Sequence, residues 1–259
     1  MPDADQSVSV LIPCYNNGDT IAEAVASVME QDQFEGEIII YDDFSSDERT
    51  HYVLKELAQA HPEITLIFAN KNQGAGYARK HLIAQARHPL CGFLDADDTW
   101  CAGKLSAQLA VMADPDVLLC FSAYLICDEA LKPVAVRQVP ARTTYKAMLR
   151  ANVIPTSTAM FRTKPAQAFD FPVLRQRQDY AFWLLMLKNN PGKAAIGLPE
   201  PLVCYRNREN SLSSSRLRNM KFNYLVFRSA LKKSVPTSCM FLTINIFQRL
   251  FASRINLLR

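Results

Sequence analysis

The sequence predicts an α/β fold in which a mostly parallel sheet is flanked by helices. Four short apolar segments with many β-branched residues alternate with three segments of helical periodicity over the first 94 residues. Each intervening segment is long enough for a helical crossover, the connection that joins parallel strands. The 259 residues, of which 49% are hydrophobic, are sufficient for one large domain with a sizeable core.

The elements of the first half follow one another regularly. The predicted strands are residues 8–13 (VSVLIP), 37–43 (EIIIYDD), 64–68 (ITLIF) and 90–94 (LCGFL), and the predicted helices are residues 20–31, 47–60 and 75–86. Thr20 and Glu23 match a capping box at the start of the first helix. Polar stretches follow three of the strands: PCYNN, YDDFSSD and DADD. Because the carboxyl ends of parallel strands share one edge, we expect these stretches to form one crevice.

The second half is less regular. The predicted strands are residues 116–126, 156–161, 194–198 and 202–206, and the predicted helices are residues 143–150, 179–189 and the basic segment 216–233. Residues 238–259 contain no uninterrupted apolar run of 18 residues, so we do not expect a membrane-spanning helix there.

The charge of the chain is distributed unevenly. The formal net charge is +4, but residues 201–259 contain eleven Lys and Arg against the single acid Glu209, which leaves a balance of +10 there and −6 in the rest. Such a basic segment is typical of proteins that contact an anionic surface, either lipid or nucleic acid. Because no base-reading motif accompanies the charge, we expect no nucleic-acid partner.

The C-terminal segment also has amphipathic character. Bulky apolar residues fall mostly at helical spacings, and arginines lie between or beyond them: Phe241, Leu242, Ile244, Ile246, Phe247, Leu250 and Phe251, with Arg249, Arg254 and Arg259. We expect an interfacial helix on a membrane surface. The alternative is that the apolar face packs on the protein's own core or on a partner subunit.

Seven cysteines and the N-terminus indicate the compartment. The cysteines are odd in number, without a CxxC pair or a closely spaced Cys/His set, at positions 14, 91, 101, 120, 127, 204 and 239. This pattern favours scattered thiols in a reducing compartment over a disulfide framework or a zinc site. The first ten residues lack the basic and apolar regions of a secretion signal. We therefore expect a cytoplasmic protein.

The acidic stretch GFLDADDTW is the strongest chemical signal. Asp95, Asp97 and Asp98 follow an apolar strand directly. A solvated loop is the simple alternative, and a calcium EF-hand is excluded because Trp100 and Ser106 occupy the positions that require Gly and Glu. Carboxylates at a strand end suit Mn²⁺ or Mg²⁺ that bridges a diphosphate, since such an ion needs only one or two protein ligands.

Two further residues are candidates for binding and catalysis. In NQGAGYARK, a dinucleotide fingerprint fails because Arg79 stands where the third Gly is required, and Arg79 remains a candidate anion partner or an ordinary surface arginine. Asp179 begins a strongly apolar helix, so it is either a plain N-cap or a rigidly held, ionised general base.

The order of six motifs resembles that of family 2 glycosyltransferases with the GT-A fold. The motifs are SVSVLIPCYNN, YDDFSSD, NQGAGYARK, GFLDADDTW, RQDYAFW and YRNRENSLS, and the resemblance covers roughly residues 7–215. The similarity is greatest to bacterial non-processive members of the O-antigen, capsule and teichuronic acid type. It implies a Rossmann-like GT-A domain over residues 1–215, with a nucleotide-binding half at about 1–100 and an acceptor half at about 101–215. A basic helical segment follows at residues 216–259.

The resemblance also implies an activity: inverting transfer of a hexose from a nucleotide sugar, most commonly a UDP-hexose, with Mn²⁺ or Mg²⁺ as cofactor. The acceptor would be a saccharide linked to a lipid diphosphate, presented at the inner face of the cytoplasmic membrane. Two alternatives stay open: a metal-dependent nucleotidyltransferase, and a non-catalytic binding protein on a degenerate scaffold of the same fold.

Individual roles follow from the same resemblance. The implied nucleotide-sugar contacts are Pro13 and Tyr15 at the nucleoside, Asp43 at the base edge, Arg79 beside it, Asp95 and Ala96 at the ribose or a metal-bound water, and Tyr205, Arg206, Ser211 and Ser213 near the diphosphate. Asp97, with Asp95, would ligate the metal, and Asp179 would be the catalytic base. The sequence departs from the family pattern at Phe44 (usually Gly), Lys80 (often Asn) and Gln178 (usually Glu).

Overall fold

The computed structural model describes the backbone of residues 7–32, 34–207, 216–251 and 255–257, and the side chains of residues 7–32, 34–207 and 220–246. The strands are β1 (Val8–Cys14), β2 (Gly36–Asp42), β3 (Ile64–Phe68), β4 (Leu90–Phe93), β5 (Thr99–Trp100), β6 (Val117–Cys127), β7 (Pro133–Arg137), β8 (Arg142–Thr143), β9 (Met160–Arg162), β10 (Ala194–Arg206) and β11 (Ile255–Leu257). The α-helices are α1 (Ile21–Met29), α2 (Glu48–Ala60), α3 (Ala75–Gln85), α4 (Lys104–Met112), α5 (Tyr145–Met148), α6 (Thr163–Gln167), α7 (Gln178–Asn189), α8 (Arg216–Leu225) and α9 (Val235–Phe251).

One mixed sheet runs through the described chain, in the order β11-β7-β6-β9-β4-β1-β2-β3, with β10 beside β6. The pairs β1–β2, β2–β3, β1–β4 and β10–β6 are parallel. Strand β9 is antiparallel to both β4 and β6, so β6 and β10 run in the same direction as β1 to β4. The carboxyl ends of these six strands therefore lie at one edge of the sheet, and the sequence predicted this for β1, β2 and β4.

Helices cover both faces of this sheet because successive strand side chains point to opposite sides. Leu11 and Phe93 belong to a buried cluster that includes Trp183 of α7. Val10 and Ile12 belong to the opposite cluster, which includes Val25 of α1. The sheet is buried on both sides, which matches the near-continuous apolar strands of the sequence.

Several predicted elements differ in the structure. Residues 156–161, predicted as one strand, form a 3₁₀ turn at Thr156–Thr158 followed by the short strand β9. The two predicted strands at 194–198 and 202–206 form one strand, β10, whose register against β6 shifts near Pro201. The predicted helix at 216–233 is α8 followed by a π-helical turn at Val226–Ala230.

The predicted capping box at α1 is wrong. Thr20 makes no side-chain cap hydrogen bond, and its hydroxyl donates to the carbonyl of Ala96 at 2.9 Å. Glu23 instead forms an ion pair with Arg206 at the end of β10. Both side chains therefore connect α1 to the loops of the sheet edge.

The C-terminal segment packs on the domain where its side chains are described. Phe227 of the π-helical turn is fully buried, and the ring of Phe241 on α9 lies 5.4 Å from it. Asn245 donates to the carbonyl of Leu149 at 2.9 Å. This part of the apolar face packs on the protein's own core, which agrees with the alternative to an interfacial helix. Met240 is half exposed. The side chains of Phe247, Arg249, Leu250, Phe251, Arg254 and Arg259 lie outside those that the structure describes.

The single helix expected over 238–259 is also interrupted. Helix α9 ends at Phe251, and Ile255–Leu257 forms strand β11, which pairs antiparallel with β7. Among the described residues, no helix combines the length and the apolar character that crossing a membrane requires.

Candidate active site

A cleft of about 2590 Å³ lies at the carboxyl edge of the parallel strands. Its lining includes every described residue of the predicted site: Pro13, Tyr15, Asp43, Arg79, Asp95, Ala96, Asp97, Asp179, Tyr205 and Arg206. Residues that are distant in the sequence thus meet in one place. Ser211 and Ser213, assigned to the same site by resemblance, lie outside the described residues.

The DADD stretch forms a tight turn immediately after β4, closed by a hydrogen bond from the amide of Asp98 to the carbonyl of Asp95 at 3.0 Å. The three carboxylates have different environments. Asp95 and Asp97 are partly exposed in the cleft, whereas Asp98 is buried. Asp98 accepts a hydrogen bond from the hydroxyl of Ser157 at 2.5 Å and one from the amide of Arg206 at 3.1 Å. The hydrogen bonds of Asp98 therefore fix the conformation of the turn, and the carboxylates of Asp95 and Asp97 are the ones accessible in the cleft.

The electrostatics of the turn follow from this division. Burial raises the pKa of Asp98 well above its ordinary value, and the neighbouring carboxylates of Asp95 and Asp97 raise it further. The hydroxyl oxygen of Ser157 also accepts a hydrogen bond from the backbone amide of Asp95, at an N–O distance of 3.1 Å. One hydroxyl, from a residue before β9, thus organises two members of the acidic turn.

Asp95 has a cationic partner in Arg79 of α3, which is only 5% exposed. The guanidinium contacts the Asp95 carboxylate directly and lies 5.6 Å from the centre of the Phe93 ring. Its buried Nε has no hydrogen-bond partner within the described part of the chain. The alternative of an ordinary surface arginine is wrong, because Arg79 is buried beside the turn.

Arg206, the last residue of β10, ties the turn to more distant elements. Its Nε donates to the carbonyl of Asp97 at 3.0 Å, and its other nitrogens contact the carbonyl of Glu129 and the carboxylate of Glu23. All three guanidinium nitrogens have a partner within the protein. The geometry gives Arg206 a positioning role, and its predicted contact with the diphosphate stays a prediction.

The nucleoside side of the cleft is built from the loops after β1 and β2. Asp43 is 3% exposed, and its two carboxylate oxygens accept the amides of Gln73 and Gly74 at 2.9 and 2.6 Å. Asp43 therefore fixes the loop that precedes α3, and its contact with a base stays a prediction. Tyr15 is 47% exposed at the edge of the cleft, so its ring is accessible for packing on a planar ligand.

Phe44, which replaces a family glycine, adopts a backbone conformation that favours glycine. Its φ is +63°, in the left-handed region, and its side chain is 53% exposed. The usual Gly at this position has a direct physical explanation, because non-glycine residues are strained there.

Asp179 lies in the first turn of α7 and faces the residues that precede β9. Its Oδ2 accepts hydrogen bonds from Asn152 at 3.3 Å and from Thr156 at 3.4 Å. The N-cap position is Arg177, and no side-chain cap hydrogen bond forms there. The plain N-cap alternative is therefore wrong, and the partly exposed carboxylate is available in the cleft.

Three of these supporting residues carried no recognisable sequence signal: Asn152, Thr156 and Ser157. Each belongs to a polar residue type that is common on surfaces, and its role depends on contacts across long sequence separations. The sequence assigned Glu23 to a capping box, and its ion pair with Arg206 was not predicted. Apart from Arg206, the basic residues from the second half of the chain that line the cleft were also missed.

Three of the seven cysteines converge beside the acidic turn, contrary to the expectation of scattered thiols. In the strand register, Cys204 on β10 is opposite Thr99 of β5 and Leu125 of β6, so Cys101 and Cys127 occupy diagonal positions on the same face. The pKa of Cys204 is lowered to about 6, and the neighbouring thiol of Cys101 is the largest cause. All seven cysteines are free.

The acidic turn supplies oxygen donors for a metal ion, but not a complete set of protein ligands. Within the described residues, no group of three or more His, Cys, Asp or Glu side chains is arranged to hold a metal ion by itself. Asp97 and Asp95 nevertheless supply carboxylate oxygens in the cleft. This set fits Mn²⁺ or Mg²⁺ only if substrate phosphates and water complete the coordination, which is the usual arrangement for Mg²⁺.

The parallel sheet, the acidic turn at its carboxyl edge and the carboxylate across the cleft define the GT-A class of transferase. The family model for glycosyl transferase family 2 matches residues 9–178. The chain belongs to this family.

Two relatives and two solved structures illustrate the similarity. The chain is 33% identical over 222 residues to "Putative teichuronic acid biosynthesis glycosyltransferase TuaG" of Bacillus subtilis (strain 168), covering 85% of this chain and 87% of the relative. It is 30% identical over 217 residues to "UDP-Glc:alpha-D-GlcNAc-diphosphoundecaprenol beta-1,3-glucosyltransferase WfgD" of Escherichia coli, covering 84% and 83%.

The structural comparisons support the same fold. TarS of S. aureus in complex with UDP-GlcNAc has a TM-score of 0.70 and 19% identity, covering 95% of this chain and 73% of that chain. The mannosyltransferase PcManGT of Pyrobaculum calidifontis in complex with GDP-Man and Mn²⁺ has a TM-score of 0.69 and 20% identity, covering 97% and 72%.

Proposed function

We propose that this protein transfers a hexose from a UDP-sugar, with inversion, to a hydroxyl of a saccharide linked to a lipid diphosphate, in the assembly of bacterial cell-surface polysaccharide. The relatives TuaG and WfgD support this class of acceptor and pathway by their names. The UDP-GlcNAc complex of TarS supports a UDP-sugar donor. Glucose, galactose and their N-acetyl forms are the donors of first choice.

One observation carries the proposal: Asp179 lines the same cleft as the Asp95–Asp97 turn but comes from α7, in the second half of the chain. Among the described lining residues, the other acids are at the ends of β2 and β4: Asp43, Asp95, Asp97 and Asp98. One separate carboxylate suits a single displacement, in which it acts as base. A retaining mechanism with a covalent intermediate needs a second carboxylate beside the reacting carbon.

Asp179 would take the proton of the acceptor hydroxyl as its oxygen attacks the anomeric carbon from the face opposite the diphosphate. Asn152 and Thr156 both donate to Oδ2, which leaves Oδ1 without a partner in the described part of the chain. These two donors orient the carboxylate, and Oδ1 is the oxygen placed to accept the proton.

The acidic turn would serve the leaving group. Asp97, with Asp95, would hold Mn²⁺ or Mg²⁺, which when bound stabilises the charge of the departing diphosphate as a Lewis acid. Asp98, Ser157 and Arg206 fix the position of the turn through the hydrogen bonds described above. Arg79 limits the freedom of Asp95 and offsets part of its negative charge.

The reaction is tested with purified protein, Mn²⁺, a panel of nucleotide sugars and a synthetic N-acetylglucosaminyl diphosphate with an alkyl chain. We expect UDP release with a UDP-hexose and a glycosylated product whose new linkage has the anomeric configuration opposite to that of the donor, as read by NMR. A product with retained configuration would refute the single displacement. Synthesis of a nucleotide sugar from a nucleoside triphosphate and a sugar phosphate would instead support the nucleotidyltransferase alternative.

We also propose that the protein works at the inner face of the cytoplasmic membrane, bound through its basic C-terminal segment. The balance of +10 in residues 201–259 supports this, at about 1 kcal/mol for each basic residue near an anionic leaflet. Arg228 and Lys232 are exposed. Liposome flotation of the full chain should show binding to anionic vesicles that weakens in high salt and in the double variant Arg228→Gln/Lys232→Gln. Equal binding to neutral vesicles would refute an electrostatic attachment.

A further inference from the structure

The basic residues of the cleft differ in whether they have an acidic partner. Two lining arginines are paired: Arg79 with Asp95, and Arg206 with Glu23. The other basic lining residues all come from the second half of the chain, as Asp179 does, and form a set that we call the basic wall: Arg137, Arg142, Arg150, Arg175, Arg177 and Lys221. None of them has a salt bridge within the described part of the chain.

The basic wall has a large excess of positive charge. Asp179 is the single acid among the described lining residues from the second half of the chain, so the basic wall and Asp179 together carry six positive charges and one negative charge, a balance of +5. Positive charge without an acidic partner attracts an anion into the cleft, because a partly enclosed site concentrates the field. The acidic turn is assigned to the donor diphosphate, so this excess points to a second anionic group.

Two members of the basic wall are close to the proposed base along the chain. Arg177 precedes Asp179 by two residues, and Arg150 precedes Asn152, the partner of Asp179, by two residues. Two residues span at most about 7 Å of backbone. Both arginines also line the cleft, so an anionic group attached to a sugar ring bound at Asp179 would lie near them.

The backbone of Arg177 provides a separate indication. Its φ and ψ are +61° and +19°, in the left-handed region, at the residue that precedes α7. Glycine adopts this conformation without strain, whereas other residues rarely do. A strained residue that lines the cleft is a candidate for a functional role.

Apolar residues accompany the basic wall. The cleft is also lined by apolar residues from the second half of the chain: Val139, Val153, Val173, Leu174, Phe222 and Ile246. Val173 is 54% exposed, so its side chain is accessible to a ligand. A surface that combines unpaired arginines with apolar side chains matches a molecule with an anionic group next to a hydrocarbon chain.

We propose that Arg150 and Arg177 bind the diphosphate of the acceptor, so that the enzyme selects a saccharide carried on a lipid diphosphate over the same saccharide without phosphate. This inference rests on the proposed function, since it assigns residues to the acceptor of that reaction. The other members of the basic wall strengthen its attraction for anions: Arg137, Arg142, Arg175 and Lys221. Guanidinium groups suit this task because they form paired, charge-assisted hydrogen bonds with phosphate oxygens.

The kinetic test compares two acceptors that differ only in the diphosphate: decyl diphosphoryl N-acetylglucosamine and decyl N-acetylglucosaminide. The variants are Arg150→Gln and Arg177→Gln, with Lys188→Gln as a matched control on the exposed end of α7. We expect kcat/KM for the diphosphate acceptor to fall about 10- to 100-fold in either arginine variant, as for a lost hydrogen bond to a charged group. The KM for the donor and kcat/KM for the neutral acceptor should stay unchanged.

An equal fall with both acceptors would overturn the inference, because it would show a general disturbance of the site. No fall with either acceptor would overturn it too. Arg177→Gly adds a check on folding, since glycine relieves the left-handed strain: we expect an equal or higher Tm together with the loss of acceptor preference.

A binding experiment separates this inference from the proposed reaction. Calorimetric titration of the full chain with decyl diphosphate, in the presence of saturating UDP and Mn²⁺, should show one site that weakens in the Arg150 and Arg177 variants and persists in Lys188→Gln. Competition by inorganic pyrophosphate with equal affinity would identify a general anion site and overturn the lipid-diphosphate assignment. If decyl diphosphate binds as expected but no sugar is transferred, the proposed reaction fails and the anion site stands.

Discussion

Lys104 is an ionisable side chain in the core, and its titration gives a quantitative prediction. It is 0% exposed, its Nζ donates to Gln108 at 2.5 Å, and it lies 3.9 Å above the ring of Trp100, directly after the acidic turn. Burial lowers the pKa of Lys104 from 10.5 to about 7, although the thiols of Cys120 and Cys101 oppose this shift. The protein therefore folds around an amine that it holds poorly in the charged form.

The consequence for stability has a definite sign. Between pH 7 and pH 10.5 the unfolded chain holds a proton on this amine and the folded chain largely does not, so stability rises with pH in this window. Below pH 7 the folded chain also holds the proton, so the full free-energy cost of burying the charged amine is present. With these two pKa values, the penalty decreases by about 2 kcal/mol between pH 7 and pH 9.

We expect Lys104→Met to remove this dependence. The assay is urea unfolding of wild type and variant at pH 7, 8 and 9, and the free energy of unfolding of the wild type should rise relative to the variant by about 2 kcal/mol over this range. The variant also loses the hydrogen bond from Lys104 to Gln108, which changes its free energy of unfolding by the same amount at each pH. Comparing the difference between wild type and variant across pH removes this constant. Burial also raises the pKa of Cys14 and Cys91 to about 12, and their effects are common to both proteins.

A matched control is Lys55→Met, which removes an exposed lysine of α2. Its stability difference from wild type should be the same at all three pH values. A difference between wild type and Lys104→Met that is also independent of pH would refute the reasoning, because it would mean that burial does not displace the titration of the amine.

Four further predictions concern the site. Asp179→Asn should keep UDP binding by calorimetry and lose transfer at least about 100-fold, because a carboxamide cannot accept the hydroxyl proton; parallel loss of UDP binding would indicate a disordered site instead. Asp97→Asn, or EDTA with the wild type, should lower turnover at least about 100-fold, and full activity in EDTA would refute the metal assignment. Cys204 should react with iodoacetamide faster than the other thiols at pH 7, with a rate that is half-maximal near pH 6 as the thiolate forms, as measured by peptide mapping; preferential labelling of the exposed Cys239 would contradict this. Phe44→Gly should increase the free energy of unfolding by about 1 kcal/mol because it relieves a left-handed backbone, and a decrease would show that the exposed ring contributes more than the strain costs.

The first half of the fold was predictable because its signals are local. Strands β1 to β4 are short apolar runs, and helices α1 and α2 have clear periodicity, so their type follows from the sequence alone. Helix α3 is less clearly amphipathic, because its buried face also contains Arg79. In the second half these signals weaken. Strand β5 has two residues, and α4 carries Lys104 and Gln108 in its buried face, where a periodicity analysis expects apolar residues.

The sequence predicted which carboxylates belong to the site and that they lie at the carboxyl edge of the sheet. Both followed from acidic residues placed directly after parallel strands. Which carboxylate does what was not predictable. Asp98 is buried because Ser157 and Arg206 satisfy it, and these partners are 59 and 108 residues away in the chain. The basic wall was missed for a similar reason: its six residues are dispersed over more than 80 positions, and only the fold brings them to one cleft.

The contacts of Arg206 determine how short a fragment of this protein can be and still fold. The region that matches the family ends at residue 178, yet Asp98 inside it depends on the amide of Arg206, and the central core depends on Trp183. A fragment cut at the end of the matched region would leave a buried carboxylate without one of its donors and an open apolar surface. The segment that the family model matches is thus shorter than the segment that folds. Shortened forms of the protein should keep the chain intact through Leu231, the buried residue that follows the π-helical turn.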